Sequence, residues 1–62
     1  MKLKVIAQHY DLAPGTIVYK LGMSLPEAAQ TGVDHYLVSL TEGFKGDGDL
    51  RTIPVTKTEP AQ

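Results

Sequence analysis

Two short clusters of histidine, tyrosine and aspartate are the residues of this sequence best suited to chemistry. They are His9-Tyr10-Asp11 and Asp34-His35-Tyr36. Imidazole nitrogens combined with carboxylate oxygens are suitable ligands for zinc, iron or nickel. The spacing does not specify a site, because the His and Asp of the first cluster would share one face of a strand, whereas those of the second are adjacent and would not. We therefore expect these side chains to face water near strand ends, and we expect no metal and no other cofactor.

The second candidate for metal binding is an acidic, glycine-rich stretch, Asp47-Gly48-Asp49, with Glu42 upstream. A calcium loop requires about six oxygen ligands at defined offsets. Counted from Asp47, the offsets that an EF-hand fills with a third Asp or Asn, a glycine and a late Glu hold other residue types. The residues there are Arg51, Thr52 and Thr58. The pattern predicts an acidic hairpin loop that does not bind calcium tightly.

Nothing in the sequence indicates catalysis. The two serines, Ser24 and Ser39, have no histidine at a diagnostic spacing. Ser24 is better explained as a helix cap and Ser39 as an outward-facing strand residue. The chain has no phosphate-binding loop of the G-x-x-x-x-G-K type, and domains this small rarely form a pocket that excludes water. We expect that the protein is not an enzyme.

Length and composition narrow the class of protein. A chain of 62 residues predicts one domain, which we assign to residues 1–58 with a frayed tail at 59–62. Six basic and seven acidic side chains are not the profile of a nucleic-acid-binding protein. There is no cysteine and no apolar segment long enough for a signal peptide or a bilayer crossing. The sequence therefore favours a soluble, cytoplasmic protein that has no membrane partner.

Turn signals divide the chain into four short apolar runs that alternate as strands do. The runs are Leu3–Ala7, Thr16–Leu21, His35–Thr41 and Leu50–Val55. Between the second and third runs, Ser24 and Glu27 form a capping-box pattern and Gly32 suits a C-terminal cap, which predicts a short helix. The alternation predicts a core of eight residues: Leu3, Val5, Ile17, Tyr19, Val38, Leu40, Ile53 and Val55. The predicted fold class is all-β with one short helix.

Two segments resemble parts of an SH3-like domain. Residues 5–12, followed by Pro14-Gly15-Thr16-Ile17-Val18-Tyr19, resemble its opening: a strand ending in Ala, a Tyr-Asp-aromatic motif, and a loop running to a glycine before a divergent hairpin. Ile53-Pro54-Val55 resembles the short turn and last strand that close the barrel. The resemblance implies a small antiparallel barrel of about five strands.

The sequence departs from the SH3 pattern where peptides bind. Peptide-binding SH3 domains hold proline-rich ligands on a tryptophan and a late Pro-x-x-Tyr tyrosine. This chain has no tryptophan, and Lys57 stands three residues after Pro54 where that tyrosine would fall. We therefore do not expect proline-rich ligands. In size and lack of cysteine the chain is also similar in style to the short accessory proteins encoded by bacteriophages.

Two functional hypotheses remain. The first is a protein-interaction module, such as a phage-encoded protein that binds a host factor or associates with itself, with a contact surface that joins two loops. The residues assigned to it are Tyr10, Asp11, Phe44, Lys45, Asp47 and Asp49. Phe44 is either the anchor of this surface or a cap on an open barrel end. The alternative hypothesis is a nucleic-acid-associated small barrel that uses a basic face of Lys2, Lys4 and Lys20.

Overall fold

Five antiparallel strands form one sheet in the order β4-β3-β2-β1-β5 in a computed structural model that describes all 62 residues. The elements are β1 (Lys2–Val5), β2 (Ile17–Met23), α1 (Leu25–Thr31), β3 (His35–Ser39), β4 (Leu50–Pro54) and β5 (Thr58–Pro60). Short 3-10 turns at Asp47–Asp49 and Val55–Lys57 precede β4 and β5. The predicted class, all-β with one short helix, is confirmed. The outer strands β4 and β5 each pair with a single neighbour, so the sheet is open and closure into a barrel is not confirmed.

Six apolar side chains form the core, and four of them were predicted. The buried apolar residues are Leu3, Val5, Leu12, Val18, Val38 and Ile53, with Tyr36 and Leu40 packed against them. The prediction for β2 is wrong. Leu3 lies opposite Val18, and cross-strand partners share a face of the sheet, so Val18 points inward. Ile17 is consequently 37% exposed, and Tyr19 and Val55 are only half-buried.

The register between β2 and β3 contains one irregularity. Lys20 lies opposite Val38 and Gly22 lies opposite Leu37, which leaves Leu21 as an extra residue. Such a bulge bends the strand and increases its twist. Leu21 is accordingly exposed and contributes nothing to the core.

The helix α1 begins and ends close to its predicted limits. Ser24 occupies the N-cap position, although its side chain makes no capping hydrogen bond. Gly32 ends the helix with φ 75, and its amide donates to the carbonyl of Ala28 at 2.8 Å. A left-handed residue after the last turn is a position that favours glycine. At seven residues α1 is far too short to cross a bilayer, and the chain has no other α-helix.

The end of the chain differs from the expected frayed tail. Residues 59 and 60 belong to β5, which pairs with β1 through Val5 and Thr58 and through Lys4 and Glu59. The amide of Ala61 then donates to the carbonyl of Lys2 at 3.0 Å. Backbone pairing, which needs no apolar side chains, places this polar segment in the sheet.

Candidate interaction surface

A tight turn at residues 9–12, called here the Tyr10 turn, presents the most exposed aromatic ring of the protein. His9 and Leu12 exchange two backbone hydrogen bonds of 2.9 Å, which leaves Tyr10 and Asp11 at the tip. Tyr10 has φ 52 and is 88% exposed. A positive φ at a bulky residue is strained and requires support from its surroundings. Leu12, only 3% exposed within the core, gives the turn that support.

The ring of His9 also restrains Tyr10. The two ring centroids are 4.7 Å apart with an interplanar angle of 81°, an edge-to-face contact. Tyr10 is therefore held out from the surface on a fixed backbone, with one edge contact and the rest of its ring in water.

A second loop, residues 41–49, is called here the Phe44 loop. Phe44 has φ 47 and is 41% exposed, so it also combines an aromatic side chain with a positive φ. The carboxylate of Asp49 fixes the loop by accepting from Thr41 Oγ1 at 2.6 Å and from the amide of Lys45 at 2.8 Å. These two hydrogen bonds lower the pKa of Asp49. Asp47 and the side chain of Lys45 remain exposed at the loop surface.

Arg51 of β4 connects the two loops. Its Nε and Nη2 donate to both carboxylate oxygens of Asp11 at distances between 3.0 and 3.3 Å. Its Nη1 donates at 2.8 Å to the carbonyl of Gly48 in the Phe44 loop and to that of Leu50. The hydrogen bond with Arg51 lowers the pKa of Asp11 and raises the pKa of Arg51. A planar guanidinium with five donors is well suited to such a fork, and it fixes the two loops relative to each other.

A groove of about 340 Å³ lies between the Tyr10 turn and the adjacent strands. Its lining residues are His9, Tyr10, Asp11, Leu12, Leu37, Leu50, Arg51 and Thr52. The lining mixes aliphatic and aromatic carbon with one ion pair. This volume is at the small end of the range for ligand pockets and is also large enough for a few side chains of a partner.

The remaining candidate residues from the sequence are the two histidines and Ser39. The rings of His9 and His35 do come together, with centroids 6.3 Å apart. Nowhere in the chain, however, do three or more His, Cys, Asp or Glu side chains converge as metal ligands, and the carboxylate of Asp11 is engaged by Arg51. Ser39, predicted to point outward, is fully buried and its hydroxyl donates to the carbonyl of Thr41.

The three lysines of the proposed basic face do not share a face. Lys2 lies opposite Tyr19 and Lys4 opposite Ile17, whereas Lys20 points to the other side of β2. The ammonium of Lys20 lies 4.9 Å from the ring centroid of Tyr36. Lys4 is 3.8 Å from the carboxylate of Glu59. Because the faces of β2 are the reverse of the predicted ones, Lys20 lies on a different side of the sheet from Lys2 and Lys4.

Sequence reasoning places Tyr10, Asp11 and Phe44 in exposed loops but misses Arg51, which lies 40 positions from its partner Asp11. No local pattern signals a contact over that separation.

Comparisons with protein-family models, curated proteins and solved structures find no match for this chain.

Proposed function

We propose that the protein is an interaction module that binds another protein through the surface formed by the Tyr10 turn, the groove and the Phe44 loop. The observation that carries this proposal is Tyr10, an aromatic ring left 88% exposed on a strained backbone. Neither an exposed ring nor a strained backbone stabilises a fold. Exposed aromatic side chains on rigid supports, in contrast, are typical binding hot spots.

The ion pair between Arg51 and Asp11 supports the same proposal. It holds both loops in one arrangement before any partner arrives, so less conformational entropy is lost on binding. Neither loop contains the paired aromatic rings that hold a polyproline helix, and we do not propose proline-rich ligands. We do not propose catalysis at this surface.

The test compares two exposed residues, one in the surface and one outside it. Tyr10→Ala removes the proposed anchor, and Leu25→Ala removes an apolar side chain of α1 that is 75% exposed. Immobilised wild type and both variants are exposed to lysate with and without nuclease treatment, and a captured protein is then purified and titrated. We expect Tyr10→Ala to weaken its binding about tenfold or more, and Leu25→Ala to leave it unchanged.

Phe44 provides a second readout. We expect Phe44→Ala to weaken the same binding while it lowers the free energy of unfolding by no more than about 1 kcal/mol, because the ring is partly exposed and outside the core cluster. A loss of about 3 kcal/mol or more would assign Phe44 to the fold instead. Binding that survives both Tyr10→Ala and Phe44→Ala, or that nuclease abolishes, would rule out the proposed surface. Sedimentation of the free protein distinguishes a second copy of the chain from a different partner.

A further inference from the structure

Three basic side chains meet beside the Tyr10 turn, and they are called here the basic cluster: His9, His35 and Lys57. The Nζ of Lys57 lies 3.3 Å from Nδ1 of His9. The rings of His9 and His35 have their centroids 6.3 Å apart. Lys57 comes from the 3-10 turn that precedes β5, and His35 begins β3. The cluster therefore joins the Tyr10 turn to two distant parts of the chain.

The hydrogen bonds of the cluster define where its protons are. An ammonium can only donate, so Nδ1 of His9 must accept from Lys57 and carries no proton. The Nδ1 of His35 lies 2.8 Å from the carbonyl of Val33, which can only accept, so that nitrogen does carry a proton. The contact with Lys57 therefore requires the neutral form of His9.

Lys57 fixes the segment before the turn as well. Its ammonium donates to the carbonyl of Gln8 at 3.2 Å, and its own carbonyl accepts from the amide of Ile6 at 2.8 Å. Lys57 thus contacts both the turn and the chain that leads into it. The hydrogen bond between Lys57 and His9 thus lies directly beside the backbone that carries Tyr10.

We propose that the basic cluster is a pH-sensitive contact that holds the Tyr10 turn while His9 is neutral and releases it when His9 is protonated. A proton on Nδ1 removes the acceptor that Lys57 uses and places two positive charges about one hydrogen-bond length apart. The turn then loses its side-chain connection to residues 55–57. That the release also regulates partner binding rests on the proposed function, whereas the release itself does not.

The groups that face His9 favour its neutral form at physiological pH. Burial, the charge of Lys57 and then that of His35 lower the pKa of His9, and Glu27 of α1 opposes them more weakly. An ordinary histidine titrates near 6.5. His9 is therefore neutral around pH 7. It takes up a proton only when the pH falls below the ordinary histidine value of about 6.5.

The test uses the free protein and follows both histidine rings by NMR between pH 8 and pH 5. We expect His9 to titrate below the ordinary histidine value, with the amide signals of residues 8–12 and 57 shifting at the same midpoint. The protection of the Leu12 amide against hydrogen exchange, after correction for the intrinsic rate, should fall across that transition. Lys57→Met should raise the pKa of His9, whereas Lys45→Met, which removes a lysine from the Phe44 loop, should not.

Three outcomes would overturn the proposal. They are a His9 pKa at or above the ordinary value, amide shifts that do not follow His9, and a Lys57→Met variant with an unchanged His9 pKa. If Lys57→Met does not fold, His9→Gln replaces it as the test, since that variant should retain the Leu12 protection throughout the pH range. None of these measurements needs a partner, so a failure here leaves the proposed surface standing and is distinct from a failure of Tyr10→Ala to affect binding.

Discussion

The Tyr10 turn and the Phe44 loop present similar side chains but are held in different ways. Each places one aromatic residue at a positive φ, 52 in Tyr10 and 47 in Phe44. The Tyr10 turn is anchored through its own backbone pair and through Leu12 in the core. The Phe44 loop is anchored through the carboxylate of Asp49, without any buried residue between positions 42 and 49. In the Tyr10 turn, polar contacts from Lys57 and Arg51 add to the support given by a core residue, whereas the longer glycine-containing loop has polar contacts without a core residue.

The two rings also differ in exposure, at 88% for Tyr10 and 41% for Phe44. The one aromatic ring in contact with Tyr10 is that of His9. Arg51 then joins the two loops, so a surface made of two differently supported parts has a fixed geometry.

The largest difference should appear when the anchor of the Tyr10 turn is removed. Leu12→Ala deletes a core side chain that is almost wholly buried, and we expect it to lower the free energy of unfolding by about 2–5 kcal/mol. In a domain of this size that loss is enough to unfold a large fraction of the molecules. Chemical denaturation measures it, with Phe44→Ala as the matched loop variant. Equal costs for the two variants would mean that the loops are supported in the same way.

Backbone strain should give the next largest effect, and it should be shared by both loops. Glycine adopts a positive φ without the steric cost that a Cβ brings, so Tyr10→Gly should be more stable than Tyr10→Ala by about 1 kcal/mol. The same ordering should hold for Phe44→Gly against Phe44→Ala. Thermal unfolding of the four variants measures both differences. A loop in which alanine is the more stable choice is not strained.

Acid should destabilise the Tyr10 turn through His9. Because the pKa of His9 is lowered in the folded protein, the unfolded chain binds a proton more readily. The contribution of His9 to the free energy of unfolding should therefore be fully present above about pH 6.5. It should be lost as the pH falls through the folded-state pKa. Denaturation curves at pH 7.5 and 5.5 should differ more for wild type than for His9→Gln. Identical pH dependence would show that His9 contributes no linkage.

The smallest expected effect is local to the Phe44 loop. Asp49→Ala removes both hydrogen bonds that its carboxylate accepts, and we expect the Lys45 amide to lose protection against hydrogen exchange. Asp47→Ala, in the same 3-10 turn, should leave that amide unchanged. The amide of Leu12 should keep its protection in both variants. A protected Lys45 amide in Asp49→Ala would mean that something other than this carboxylate holds the loop.

Sequence patterns predicted the strands better than they predicted which side of each strand is buried. In Thr16–Leu21 apolar residues occupy both faces, so alternation alone does not decide between Val18 and its neighbours. Pairing with Leu3 decides it, and that contact is visible only in the sheet. The burial of Leu12 is hidden for a related reason, because its position beside a Pro-Gly turn indicates a loop. β5 was missed because backbone pairing leaves no trace in side-chain hydropathy.

The candidate surface was predictable in its exposed parts and not in its connections. Exposed aromatic and acidic residues in loops are visible in the sequence, and Tyr10 and Phe44 were identified in that way. The role of Arg51 depends on a contact with Asp11 across most of the chain. The meeting of His9 with Lys57 depends on how the last 3-10 turn packs. Such pairs follow from the topology and not from residue spacing.

The two outer strands of the sheet have a consequence for behaviour in concentrated solution. Pro54 ends β4 and Pro60 ends β5. Proline has no amide hydrogen, so neither edge presents an uninterrupted row of donors to a passing chain. A strand from another molecule would therefore form an incomplete set of backbone hydrogen bonds with either edge. The cross-β stacking of fibrils requires a continuous set. The sheet can thus remain open at both edges without growing by addition of further molecules.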